Sequence, residues 1–234
     1  MAPHQQDFDD SLLMSGGLYL PEDDSNVVNA DPIDQFLWAA MTYANSFISG
    51  DANRFKAKGY LTDYWTDESV NVIKANKNRP FFLYLAHWGP HTPLQATHED
   101  YEAVGDIKPH RKRVYAGMAR AIDRRVGRIL DTLEEESLSD NTMAIFTSDN
   151  EGAGYIGITE VNQPFRGWKI TMFEGGLRVP MMRLTGLGKP YFGKTGTIRW
   201  YVMETGNCRS MIGPQMDCNI GSLILRKTQL SKIT

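Results

Sequence analysis

The 234-residue chain is poor in the features that would place it in a special class. It has two cysteines, Cys208 and Cys218, both near the C-terminus. One pair without Cys-x-x-Cys spacing is neither a disulfide framework nor a zinc site, so the two read as free thiols or one optional bridge. No apolar run approaches the roughly 18 residues that cross a bilayer, which argues against a membrane span. The first ten residues, Met-Ala-Pro-His-Gln-Gln-Asp-Phe-Asp-Asp, lack the basic and apolar regions of a signal peptide, and no export route is expected from them. A net charge of -3 gives no electrostatic reason to expect nucleic acid or a membrane surface as partner. There is no internal repeat and no low-complexity segment. What remains is the composition of an ordinary globular protein, 41% hydrophobic and 23% charged.

The most informative stretch is 142–150, Thr-Met-Ala-Ile-Phe-Thr-Ser-Asp-Asn. Met143 to Phe146 is a short apolar run bounded by Asn141 and Gly152, which predicts a buried strand. Polarity switches at once to Thr147, Ser148, Asp149 and Asn150. Ligands of open α/β sheets sit beyond the carboxyl ends of strands. A carboxylate next to an amide offers two hard oxygen donors of the kind Ca²⁺ or Mg²⁺ takes. The same four residues also suit an Asx-type turn.

A second strand is predicted at 80–86, Pro-Phe-Phe-Leu-Tyr-Leu-Ala, apolar enough for burial on both faces. His87-Trp-Gly-Pro-His91-Thr-Pro follows, and Pro93 biases Thr92 towards an extended backbone, so His91 is expected on a stiff loop. Between the two strands, Val114, Met118, Ala121, Ile122, Val126, Ile129, Leu130 and Leu133 form a stripe at helical spacing, predicting a helix over 110–136. Strand, helix, strand is the pattern of a βαβ crossover, which makes the two strands parallel and puts His91 and Asp149–Asn150 on one sheet edge. Further helices are expected at 62–76, capped by Thr62 or Asp63, and as a short piece near Phe36 to Tyr43. The pairs Asp9–Asp10 and Asp23–Asp24 follow no apolar strand and read as solvated loop. After Gly-rich 151–168, Lys169 is either solvated or turned into the cleft as a positive charge. Leu177 to Val179 suggests a short strand stopped by Pro180. Beyond Gly188 no sustained period is visible.

Pro80-Phe-Phe-Leu-Tyr-Leu-Ala, Pro90-His-Thr-Pro, Phe146-Thr-Ser-Asp-Asn, and Lys169 with Phe173-Glu-Gly-Gly-Leu-Arg-Val-Pro resemble, in order and spacing, the arylsulfatase-like branch of the sulfatase family. The similarity runs from about Pro3 to Pro180. It implies an α/β fold, part of an alkaline-phosphatase-like three-layer sandwich with a mostly parallel central sheet, and hydrolysis of sulfate esters of a small molecule or glycan. It implies a Ca²⁺ ion beside a formylglycine nucleophile. By position, Asp149 and Asn150 resemble metal ligands, His91 the histidine that contacts the sulfate or helps the leaving group, and Lys169 the lysine that neutralises sulfate oxygens. A dianionic transition state needs positive charge placed in advance. Relatives of this kind are mostly secreted, periplasmic or lysosomal.

The chain departs from the family pattern at defined points. No Cys/Ser-x-Pro-x-Arg nucleophile motif is present, and neither Cys208 nor Cys218 has that context. The Lys-x-His motif and the first Asp-Asp pair of metal ligands are missing. Glu151 stands where Gly is usual, and Thr185-Gly-Leu where Trp-Pro is typical. The expectation is a partial catalytic domain over 1–188 that lacks its N-terminal part and has open sheet edges, with a divergent tail over 189–234. Such a chain would be inactive alone; the alternative is a non-catalytic protein that binds sulfated ligands or a partner.

Overall fold

The computed structural model describes residues 9, 11–14, 17–21, 23–30, 45–48, 54–185 and 222–227. Strands β1 (Leu12–Met14), β3 (Asn45–Ile48) and β4 (Arg54–Lys56) form a small antiparallel sheet in the order β1-β3-β4. β2 (Val27–Asn29) pairs antiparallel with β6 (Gln95–Thr97). The main sheet has four strands in the order β5-β9-β7-β8: β5 (Phe81–Ala86), β7 (Thr142–Thr147), β8 (Met181–Thr185) and β9 (Ser222–Lys227). Among the described residues three α-helices accompany them, α1 (Leu61–Ala75), α2 (His98–Ala103) and α3 (His110–Glu135). The helix expected near Phe36 to Tyr43 lies outside the described residues.

The α3 stripe is buried as its spacing predicts. Val114, Ala121, Ile122 and Ile129 are fully enclosed and Met118 and Leu133 nearly so. They pack with Leu61, Trp65 and Ile73 of α1 and with Leu85, Ala144 and Phe146 of β5 and β7 in one core. The opposite, basic side of α3 clamps its neighbours. Arg124 Nη2 donates to Asp100 Oδ2 at 2.8 Å, and Arg120 binds the other oxygen of this fully buried carboxylate. Arg125 pairs with Asp63 at the start of α1. Thr97 caps α2, its hydroxyl accepting from Asp100 N at 3.1 Å.

Several expectations are corrected. β5 and β7 do run the same way, but they are not neighbours. β9, from the tail, lies between them and pairs antiparallel with both, Leu83↔Leu225 and Ala144↔Leu225 sharing one register point. β8 is also antiparallel to β7. Every described pairing is therefore antiparallel, where a mostly parallel sheet was expected. The reason is topological: a crossover fixes strand direction, not adjacency, and the gap is filled by a strand distant in sequence. β5 is not buried on both faces, since Phe82 is 54% and Tyr84 50% exposed. Side chains alternate across a strand, and α1 and α3 cover one face only. α1 starts one residue earlier than predicted. Its N-cap is Tyr60, with no side-chain cap bond. Leu177 to Val179 is not a strand. β8 begins after Pro180, whose lost N–H is harmless at a strand start.

Candidate active site

The site forms where the chain leaves β5 and β7. Beyond β5, residues 88–91 make a tight turn, His91 N donating to Trp88 O at 3.1 Å. The His91 ring stacks on Trp88 with centroids 4.5 Å apart and 29° between planes. His91 Nδ1 lies 2.8 Å from Thr92 O. A carbonyl only accepts, so Nδ1 carries the proton and the Nε2 lone pair is left for a ligand.

Beyond β7, the turn is made by Ser148 rather than by its acidic neighbour. Ser148 Oγ donates to Asn150 O at 2.6 Å, and Ser148 N and Thr147 Oγ1 both donate to Pro180 O, at 3.3 and 3.0 Å. The carboxylate of Asp149 and the carboxamide of Asn150 make no hydrogen bond among the described residues. A turn is present, and it leaves the two head groups unused.

Lys169 comes from the irregular segment 151–180 and is delivered by Asn162. The Asn162 carboxamide brackets Gly152, accepting from its N–H at 2.9 Å and donating to its carbonyl at 2.9 Å, and also reaches Gly167 O at 3.2 Å. Lys169 N then donates to the same Gly152 carbonyl at 3.0 Å. Gly154 lets the Trp168 ring pack against the backbone, since a Cβ there would lie 2.6 Å from it. Lys169 is half-buried and has no ion pair among the described residues.

His91, Asp149, Asn150 and Lys169, all singled out from sequence, border one cavity of about 120 Å³. The structure adds residues to that wall which sequence reasoning passed over. His87, four residues before His91 and just beyond β5, is 7% exposed, and neither ring nitrogen has a hydrogen-bond partner among the described residues. Burial pushes its pKa down from 6.5 to about 4, with Asp63 opposing and Arg125 adding to the fall. Glu151, noted only as a departure from Gly, is 9% exposed and also borders the cavity. Tyr115 of α3 and Tyr155 supply aromatic surface. The cavity therefore sets one ammonium against two carboxylates.

Asp149 and Asn150 give at most three side-chain oxygens where Ca²⁺ takes six to eight. Among the described residues no group of three or more His, Cys, Asp or Glu side chains converges as a metal site. These residues alone do not make a calcium site. No helix among the described residues is long and apolar enough to cross a membrane.

Comparison with known proteins bears on the family of the whole chain. The sequence matches the sulfatase family model over residues 11–190. It is 35% identical over 147 residues to the uncharacterized sulfatase YdeN of Escherichia coli (strain K12), covering 61% of this chain and 26% of that protein. It is 35% identical over 138 residues to the N-acetylgalactosamine-6-sulfatase of Homo sapiens, covering 57% of this chain and 24% of the relative. Among solved structures, Ps i-CgsB in complex with k-i-k-neocarrahexaose superposes with a TM-score of 0.65 at 32% identity, over 81% of this chain and 42% of that one. The chain spans about a quarter of the length of these curated relatives. With the family model matched over residues 11–190 and a solved alkaline-phosphatase-like neighbour at 32% identity, this chain belongs to the sulfatase family.

Proposed function

We propose that this chain carries the sulfate-facing wall of a sulfuric ester hydrolase site and, as it stands, binds a sulfated ligand without turning it over. The observation that supports the reading is the meeting of His91, Lys169, Asp149 and Asn150 at one cavity, although they come from three separate stretches. Lys169 neutralises sulfate oxygens. His91 turns the Nε2 lone pair to the ligand and accepts a hydrogen bond from a ligand hydroxyl beside the sulfate. Asp149 and Asn150 contribute oxygen donors towards a hard cation, short of the number calcium needs. The sequence contains no Cys/Ser-x-Pro-x-Arg nucleophile, which is why binding and not hydrolysis is assigned to the chain itself. The ligand class is a sulfated small molecule or glycan. Relatives named for an N-acetylgalactosamine 6-sulfate and solved with a neocarrahexaose support a sugar as the sulfate carrier.

The test is a titration of the 15N-labelled full chain with inorganic sulfate and with an aryl sulfate. Expected are saturable shifts at Lys169 and His91, lost in Lys169→Ala, and no release of the aryl alcohol. Absence of any response at Lys169 would sink the binding reading. Turnover that a chelator abolishes would sink the claim that the chain is inactive.

A further inference from the structure

His91 is held by a residue far away in sequence. Tyr19 is completely buried, and its hydroxyl lies 2.9 Å from Trp88 O and 2.8 Å from His91 O, the two ends of the turn that carries the imidazole. Trp88 O already accepts from His91 N, so the Tyr19 proton adds a donor to a turn that would otherwise close on itself. Tyr19 is itself fixed on every side. Its N–H donates to Gln95 Oε1 at 2.8 Å, its carbonyl accepts from Leu61 N at 3.1 Å, and its ring stacks on Tyr60 with centroids 5.6 Å apart. Gln95 is fully buried and is held in turn by Asn29 Oδ1, at 2.8 Å from Nε2. Burial, with Tyr60 and Tyr115 nearby, holds the Tyr19 phenol pKa well above its ordinary value, so the hydroxyl keeps its proton.

A buried tyrosine can be present for its ring alone, and phenylalanine would then serve. The hydroxyl here does something the ring does not. The His91 carbonyl belongs to the peptide unit that leads into Thr92, and the Thr92 carbonyl is the acceptor that selects the Nδ1–H tautomer. We propose that Tyr19 is the positioning residue of His91: its hydroxyl pins the 88–91 turn so that Thr92 O stays on Nδ1 and Nε2 stays turned to the cavity. The proposal rests on the reading of His91 as the ligand-facing group.

The experiment compares the full chain with Tyr19→Phe and Tyr60→Phe, each labelled with 15N-histidine, by long-range 1H–15N correlation. His110 is an internal reference, because its Nε2 donates to Asn29 O and its Nδ1 accepts from Tyr101 Oη. Tyr60→Phe is the packing control, since the Tyr60 hydroxyl donates to Gln95 O and not to the turn. The expected result is a single Nδ1–H tautomer of His91 in the parent and in Tyr60→Phe, a tautomer mixture in Tyr19→Phe, and an unchanged His110 throughout. An unchanged His91 in Tyr19→Phe overturns the proposal, as does an equal change in Tyr60→Phe. If Tyr19→Phe does not fold, the parent decides: a Tyr19 hydroxyl proton in slow exchange supports the proposal, and one in fast exchange overturns it. The tautomer is read without ligand, so its outcome is separate from the sulfate titration that tests the function.

Discussion

The helical half of the molecule and the segment 151–180 hold their shape by different means. Around α3 the apolar side chains are inside, from Val114 to Leu133, and removal of their surface from water supports the structure. Along 151–180 several of the large apolar side chains are outside: Ile170 is 83% and Met172 86% exposed. Ile156, Ile158 and Val161 anchor the start of that segment in the core, and the rest of it is held by backbone hydrogen bonds, by the three-way carboxamide of Asn162, and by glycines that admit close contacts. The site takes His91, Asp149 and Asn150 from the ends of packed strands and Lys169 from the bonded loop. The lesson is that three side chains of the proposed anion site rest on a hydrophobic scaffold and the fourth on polar contacts, and the two parts should fail differently.

The largest effect is expected in the packed half. Ile129→Ala should cost about 4 kcal/mol by loss of transfer energy and a residual cavity, measured by urea unfolding. Met172→Ala should stay within about 0.5 kcal/mol. Similar costs for the two would break the comparison.

Acid should act next, through His87. Its pKa is about 4 when folded against 6.5 normally, so between those values the unfolded chain binds more protons than the native one. Stability therefore falls as pH drops through that window, by about 3 kcal/mol in all for this group. Unfolding midpoints at pH 7, 5 and 4 check it, and His87→Leu should remove this part of the slope. An unchanged slope in that variant would count against a neutral, buried imidazole.

Asn162→Ala should cost about 2 kcal/mol, because it strands Gly152 and Gly167 groups together. The loss should appear as faster amide exchange at Lys169 with α3 protection intact. Global unfolding instead would mean that the loop and the core form one cooperative unit.

The smallest effect concerns charge. Glu151→Gln removes one of the two carboxylates bordering the cavity and should tighten sulfate binding several-fold, about 1 kcal/mol at the effective dielectric of a partly open site. Binding unchanged or weakened would show that Glu151 does not face the bound anion.

Much of the site was legible because it lies where local patterns end. The apolar run at 143–146 and the stripe on α3 have periods readable within a dozen residues, and the polar switch at Asp149 and the rigid His91 loop follow directly from them. The fate of Lys169 was not legible. Whether it faced the solvent or the cavity depended on Asn162 reaching Gly152 across ten positions. Tyr19 carried no signal at all, since its partners are 69 and 72 residues away.

By itself the sequence determined α3, the directions of β5 and β7, and which side chains stand at their ends, because these follow from hydrophobic period and from the crossover between strands. The tertiary structure alone decided that β9 fills the gap between β5 and β7, that one face of β5 stays open, and that His87 and Glu151 border the same cavity as Lys169. Those outcomes depend on contacts between segments far apart in the chain, and no local period encodes which distant strand or carboxamide will arrive.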